Sequence, residues 1–357
     1  MQDHMNNKNP VELERFIAIE AAAADDRMRD GGHAETRNHP KDAAQTLAQE
    51  RHVEACGALE ELRRSLTTLT RYPVHIQIEA PSPQFVNCVE IAPLARRDYH
   101  LIRCSSALPR HVQTHVIGHE LTHIQLEFES AVAGKAQWFC QTARTREYVS
   151  SLYRERKALL CCLGGLDPAE IDRAVAANST DILAVVINRP MDMAVESWIH
   201  RNVPCLSAAQ LLSFFYIQET GPSPALALAQ PSLLRPQWLD IVSLALNGVQ
   251  AMMQDSFFAG ASDFAAPYRN TEVFPLASQL WQHWLSVCPS LGPGDEYDLV
   301  NAFGKIVGLS QAYESQTYSR QGPPAKSSEP STMTRTATGA RAGQRSKSTK
   351  RSSKTSS

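Results

Sequence analysis

The sequence "RHVQTHVIGHELTHIQLE", residues 110–127, places four histidines at intervals of four: His111, His115, His119 and His123. Residues four apart lie one turn apart on the same side of a helix, so this spacing predicts an α-helix that carries a row of imidazoles. Apolar residues occupy two faces of the same helix, one of which carries His119 and His123, and a helix buried on both sides is usually central to its domain. The stretch therefore predicts a buried helix with ionisable groups on it.

Residues 119–123 read HELTH, which is the HExxH pattern. The spacing sets His119 and His123 one turn apart, so their ring nitrogens can converge on one zinc ion at about 2.0–2.1 Å. Glu120 lies beside them, where it can hold a water molecule and take its proton. This pattern predicts Zn²⁺ ligands at His119 and His123 and a general base at Glu120.

The two earlier histidines have the same spacing but a weaker case. If His115 and His119 formed the metal-binding pair, Val116 would stand where the general base belongs. His111 and His115 also turn progressively away from the side that carries His119, by ~40° per step of four residues. We interpret both as polar-edge residues or as outer-shell partners of the site.

A catalytic zinc site usually has three protein ligands and one open position, so one more ligand is needed. The best candidate is Glu196 in "NRPMDMAVESWIH", on a helix that we expect to begin at Pro190. Asp192 lies one turn earlier on the same face, which suits Glu196 as the metal ligand and Asp192 as the outer-shell partner of a ligating imidazole. The alternatives left open for the third ligand are Glu147, His200, Glu127 and Glu129.

Three short strand-like runs precede the motif helix, at residues 72–79, 85–92 and 99–106, and they suggest a small meander-type sheet. Most of the remaining chain to about 318 reads as helices separated by Pro and Gly. The expected fold class is α+β and predominantly helical, with a small antiparallel-edged sheet packed on the HExxH helix. The expected organisation is an N-terminal helix and flexible joint (1–41), a catalytic domain (42–205), a helical region that completes or flanks the cleft (206–320) and a disordered basic tail (321–357).

Composition and charge limit the classes of function. The 357 residues carry a formal net charge of -2, but the segment 321–357 holds eight Lys or Arg against Glu329, so a basic tail follows an acidic body. An acidic body predicts no specific nucleic-acid binding.

No apolar run is long enough to span a bilayer and no secretory signal begins the chain. With eight cysteines and no CxxC pair, we expect reduced thiols in a cytoplasmic protein, and make no prediction of its oligomeric state.

The stretch "HVIGHELTH" after strand-like segments resembles the zincin metallopeptidases. The metzincin pattern HExxHxxGxxH is not met, because Leu126 and Glu129 stand at its later positions, so a glutamate on a later helix makes the chain similar to the gluzincins. The resemblance is close around the motif helix and looser over residues 72–200. It implies an HExxH helix under an edge-strand sheet, bound zinc and a peptide or protein substrate.

The first functional hypothesis is therefore a zinc-dependent metallopeptidase in which a metal-activated water attacks a peptide carbonyl and Glu120 is the base. We expect a strand within residues 99–106 to align the substrate by edge pairing. The candidates for stabilising the oxyanion are Tyr148, Tyr153, His200, Tyr268 and His283, and no spacing rule selects among them. The alternatives are a non-enzymatic helical scaffold or regulatory protein with a structural HExxH helix and a partner-binding tail, and a metal-dependent hydrolase of a non-peptide substrate.

Overall fold

The computed structural model describes residues 40–82, 85, 87–164, 167–221, 223–229, 236–318 and 335–336. The predicted N-terminal helix and joint, and nearly all of the predicted disordered tail, lie outside these residues. The described chain has an α+β fold that is predominantly helical and contains a small mixed sheet, which confirms the predicted fold class. It divides into two compact units, Met1–Glu61 and Leu62–Ser357, and every residue of the candidate site belongs to the second.

The α-helices among the described residues are α1 (Pro40–Thr70), α2 (Ala92–Ala95), α3 (Arg110–Val132), α4 (Ala143–Leu152), α5 (Arg154–Gly164), α6 (Pro168–Asn202), α7 (Ser207–Thr220), α8 (Pro224–Ala229), α9 (Gln237–Phe257), α10 (Ala266–Arg269), α11 (Phe274–Val287) and α12 (Asp295–Ile306). Two short 3-10 turns lie at Pro204–Leu206 and Cys288–Ser290. The strands are β1 (Val74–Glu79), β2 (Cys88–Glu90), β3 (His100–Ser105), β4 (Gln137–Cys140), β5 (Glu314–Thr317) and β6 (Arg335–Thr336).

The larger sheet has the order β1-β3-β2-β6. Strand β3 runs parallel to β1, with Val74 opposite His100, and antiparallel to β2, with Val89 opposite Ile102. The predicted meander was wrong, because β3 runs parallel to β1. The segment between these two strands exceeds the dozen or so residues that a parallel connection requires. Since β3 lies between two strands, the expectation that residues 99–106 offer an open edge to a substrate was also wrong.

Helix α3 carries the HExxH motif and is buried on more than one side, as predicted. It begins directly after Pro109, whose missing N–H has no intrahelical partner to lose at that position. Val112 and Val116 pack with Cys104 of β3, while Leu121 and Ile124 are fully buried elsewhere on the helix. The helix therefore lies between β2 and β3 on one side and α6 and α7 on others.

Helix α6 is much longer than predicted. It begins at Pro168, where the side chain of Asp167 accepts a hydrogen bond from the N–H of Ala169, and Pro190 lies in its interior. The expectation that a helix starts at Pro190 was wrong, since packing against α3, α9 and α12 holds the helix together across the one backbone hydrogen bond that proline removes. This packing directs Asp192 and Glu196 into the interior.

The helices that follow α6 also contribute to the interior around α3. Helix α7 packs on α3, and α12 packs on α6. Strands β4 and β5 form a separate antiparallel pair, which the sequence analysis did not predict. Across the described ranges, no helix is both long and apolar enough to cross a membrane. All eight cysteines are free thiols.

Candidate metal centre

Helix α3 places three of its four regularly spaced histidines in the interior. His115, His119 and His123 are buried, whereas His111 is half-buried. Buried ionisable groups need polar partners, because they lose their contact with water. Those partners come from α6 and α7. We call His115, His119, His123, Asp192, Glu196 and Gln210 the histidine cluster.

Three atoms of the cluster converge on one point. The Nε2 atoms of His119 and His123 lie 3.1 Å apart, and Oδ1 of Asp192 lies 3.5 Å from each of them. A tetrahedral ion with bonds of 2.0–2.1 Å spaces its ligand atoms by ~3.3–3.4 Å. The three atoms therefore have the spacing of one face of a tetrahedral zinc site. Among the described residues, these three side chains form the group able to hold a metal ion.

Glu196 uses its two oxygens in a different way. Its Oε1 accepts a hydrogen bond from Nδ1 of His119 at 2.8 Å. Its Oε2 accepts one from Nε2 of His115 at 3.0 Å and one from Nε2 of Gln210 at 2.6 Å. Glu196 thus contacts the far side of the His119 ring, while Asp192 faces the point of convergence. The structure brings both predicted carboxylates to the histidines, in positions that suit the reverse of the predicted division of roles.

The histidines determine the charge of the two carboxylates, Asp192 and Glu196. Burial alone raises the pKa of Asp192, but hydrogen bonds with His119 and His123 outweigh it and hold that pKa at about 2. Burial likewise raises the pKa of Glu196, and contacts with His115 and His119 hold it well below its usual range. Both carboxylates are therefore ionised and can only accept hydrogen bonds.

His119 responds in the opposite direction. Burial lowers its pKa, but the hydrogen bonds and charges of Asp192 and Glu196 outweigh burial and hold the pKa well above its usual value. Because ionised Glu196 accepts from Nδ1, that nitrogen carries a proton and Nε2 is the atom directed at the point of convergence. This is the ring orientation that a metal-binding histidine requires.

Glu120 has no exposed surface and lies on the side of α3 that faces the sheet. Burial, followed by the charge of Glu120, raises the thiol pKa of Cys88 on β2 and of Cys104 on β3 to about 12. The carboxylate must lie near both thiols to exert this effect. It is displaced ~100° around the helix from His119. Glu120 is therefore directed toward the sheet and does not belong to the group of His119, His123 and Asp192.

The other sequence candidates do not belong to the group of His119, His123 and Asp192. Glu147 is exposed on α4, Glu127 accepts a hydrogen bond from the hydroxyl of Tyr297 at 2.9 Å, and the ring of His200 stacks on Phe257 with centroids 4.4 Å apart. Glu129 accepts from the amide of Gln125.

The oxyanion candidates have other contacts. Tyr148 donates to the carbonyl of Gly308 at 3.0 Å, and His283 lies against Phe303. Tyr153 and Tyr268 are buried.

Gln210 was not among the residues predicted from the sequence. The sequence feature that could have indicated Gln210 is its position as a single amide within the apolar run "SAAQLLSFF", because a polar side chain that is buried there must find a hydrogen-bond partner. Gln210 is fully buried and also donates to the backbone carbonyl of Glu196 at 3.1 Å. The role of this residue became visible only with the docking of α7 on α3.

Comparison with known proteins gives no family assignment. None of the protein-family models, curated proteins or solved structures that were searched matches the chain.

Proposed function

We propose that the protein is a zinc-dependent hydrolase, with peptide bonds as its substrate class. The observation that carries this proposal is the triangle of His119 Nε2, His123 Nε2 and Asp192 Oδ1, whose edges of 3.1, 3.5 and 3.5 Å match the ligand spacing of a tetrahedral ion. Two imidazole nitrogens and one carboxylate oxygen are a common ligand set for catalytic zinc. In this proposal Asp192 is the third ligand and Glu196 the outer-shell partner.

The number of ligands favours a catalytic site over a structural one. Structural zinc sites almost always have four protein ligands, whereas catalytic sites have three and leave one position open. Glu196 is the other carboxylate of the histidine cluster, but its two oxygens already accept three hydrogen bonds. The position opposite the triangle is therefore left for water or substrate.

Glu120 supplies the proton transfer. A bound zinc ion provides a Lewis acid that activates water and polarises a carbonyl group. Glu120 holds the attacking water from the sheet side of α3, accepts its proton and delivers that proton to the leaving amine. Glu196 keeps the His119 ring in the orientation that presents Nε2. The peptide substrate is proposed from the HExxH helix lying under a small sheet, in which it resembles the zincins.

The second candidate function is a non-enzymatic scaffold in which the cluster is structural. Burial favours it, because Glu120, His119 and Asp192 are only 0%, 5% and 1% exposed, so a substrate needs the site to open. Under either function, eight free cysteines suit a reducing compartment, and we propose the cytoplasm.

The test is zinc content and peptide hydrolysis of the full chain and of Glu120→Gln. We expect about one zinc per chain in both proteins, and turnover reduced by about 100-fold or more in Glu120→Gln because the general base is lost. Glu127→Gln is the matched control: it changes a buried glutamate two turns further along α3, and we expect it to keep both zinc and turnover. Undiminished turnover in Glu120→Gln would remove Glu120 as the base. Zinc binding without hydrolysis in the unsubstituted chain would favour the scaffold, and no zinc binding would contradict both the metal site and the hydrolase.

A further inference from the structure

We propose that His115 and Gln210 are positioning residues that hold Glu196 in place and thereby set the zinc affinity of the site. This inference rests on the proposed function, since it takes Glu196 as the residue that orients a zinc ligand. It assigns a task to a histidine outside the HExxH motif and to a glutamine on a different helix. Neither residue belongs to the group of His119, His123 and Asp192.

The geometry of Oε2 is the first observation. This oxygen accepts from Nε2 of His115 at 3.0 Å and from Nε2 of Gln210 at 2.6 Å. Hydrogen bonds to an ionised carboxylate are about twice as strong as those between neutral groups. The same Gln210 amide group donates to the backbone carbonyl of Glu196 at 3.1 Å. Gln210 therefore fixes the side chain and the backbone of Glu196 at once.

The consequence for His119 follows from the two ends of the carboxylate. A glutamate side chain has several rotatable bonds, and it loses rotamer entropy when it is held in one conformation. If Oε2 lost its donors, Glu196 could rotate, and Oε1 would leave Nδ1 of His119. The ring of His119 would then no longer be held with Nε2 toward Asp192. Outer-shell partners of this kind typically change metal affinity by about 10–100-fold.

One face of helix α7 contacts both Glu196 and His115. Gln210 and Phe214 are four residues apart on α7, and both are buried. Phe214 packs edge-on against the ring of His115, with centroids 5.5 Å apart. One helix thus donates directly to Glu196 and also positions the second donor. The affinity of the proposed zinc site should therefore depend on a helix that contributes no metal ligand.

The test uses the full chain with Gln210→Leu, which removes the donor and keeps most of the volume. We expect the zinc dissociation constant, measured by competition with a chromogenic chelator, to rise about 10-fold. We also expect the visible absorption bands of the Co²⁺-substituted protein to shift, because ligand geometry changes. Ser213→Ala is the matched control: it lies one turn along α7, is equally buried, and its hydroxyl has no hydrogen-bond partner among the described residues. We expect that variant to bind zinc as the unsubstituted chain does.

A double-mutant cycle separates positioning from general loss of structure. If Gln210 acts through Glu196, Gln210→Leu should have little further effect on zinc affinity in a Glu196→Gln background. Additive effects would overturn the inference. His115→Leu gives a second, independent variant, whose expected rise in the dissociation constant is also about 10-fold. If the unsubstituted chain binds zinc and both single variants bind it equally well, the positioning role is wrong while the proposed function stands. If the unsubstituted chain binds no zinc, the proposed function itself fails.

Discussion

Two buried histidines in this protein, His119 and His100, have pKa values that are shifted in opposite directions. In the histidine cluster, His119 contacts two ionised carboxylates, and its pKa is held well above its usual value. At the start of β3, His100 is equally buried, but Nδ1 accepts from the N–H of Ala92 at 3.1 Å and Nε2 lies 3.1 Å from Oγ1 of Thr70. There burial lowers the pKa to about 4. Burial is common to both sites, and the charge of the partners distinguishes them.

The difference in partners indicates which of the two buried histidines fits the proposed metal site. His100 accepts at Nδ1, so it is the neutral tautomer with its proton on Nε2, and both nitrogens are occupied by neutral groups of the fold. His119 has an anionic acceptor at Nδ1 and directs Nε2 at another histidine and at Asp192. A ring in that setting can exchange a proton for a metal ion, whereas His100 can only support the sheet.

The largest effect is expected when a proposed metal ligand of the histidine cluster is removed. Asp192→Ala removes one of three proposed ligands, and we expect the zinc dissociation constant to rise roughly 1000-fold, or about 4 kcal/mol, since a whole structural zinc site contributes about 10–16 kcal/mol. Competition with a chelator measures this change. His100→Gln is the control, because it alters a histidine of equal burial and should leave zinc binding as it is. A comparable loss in His100→Gln would show that the two sites are not independent.

The second effect concerns stability and pH at the His100 site. The folded pKa of about 4 lies below the ordinary value of 6.5, so the unfolded chain binds the proton more tightly. The stability due to neutral His100 is fully present above pH 6.5, falls as the pH drops below that value and is lost as the pH reaches about 4. The loss amounts to about 3 kcal/mol in the free energy of unfolding. Urea unfolding at pH 7 and pH 4 measures it.

His100→Gln serves as the reference for that measurement, since other groups titrate equally in both proteins. The difference in unfolding free energy between the two chains should shrink by about 3 kcal/mol from pH 7 to pH 4. A difference that stays constant over this range would mean that His100 accepts a proton in the folded state at its ordinary pKa.

The third effect distinguishes a ligand from its outer-shell partner. Glu196→Gln keeps the size of the side chain but places an N–H where His115 and Gln210 donate. We expect zinc affinity to fall about 10–100-fold, less than in Asp192→Ala. The order of the two variants is the decisive result. If Glu196→Gln lost zinc more completely than Asp192→Ala, Glu196 would be the ligand, as the sequence analysis assigned it.

What could be predicted from the sequence was set by interactions within one helix. The spacing of His119, Glu120 and His123 belongs to α3 alone, and the stretch 110–127 that predicted a helix lies within α3. The pairing of Asp192 with Glu196 was likewise visible as a shared face of one helix. Both carboxylates reach the histidines, but which of them points at the Nε2 atoms of His119 and His123 depends on the rotation of α6 against α3, and no local pattern encodes it.

The features that were missed depend on contacts between distant segments. Gln210 was not predicted, because it meets Glu196 only through the docking of α7 on α3. His115 was interpreted as a polar-edge residue or an outer-shell partner, and only its contact with Glu196 distinguishes the two. The parallel pairing of β1 with β3 was missed for the same reason, since neighbouring strand-like runs favour a hairpin and the crossover is decided by packing.

The smallest expected effect concerns the partner of His100. Thr70→Val removes the hydroxyl that lies 3.1 Å from Nε2 of His100 and that accepts from the N–H of Tyr72 at 3.2 Å. We expect the free energy of unfolding to fall by about 1 kcal/mol and the zinc dissociation constant to stay unchanged, because Thr70 supports the sheet without contacting the histidine cluster. Thr68→Val is the matched control: its hydroxyl donates to a backbone carbonyl four residues back, as that of Thr70 does, but it is exposed. Equal destabilisation by both variants would place the effect in the helix itself, whereas a change in zinc affinity with Thr70→Val would mean that the neutral site and the charged site are coupled through β3.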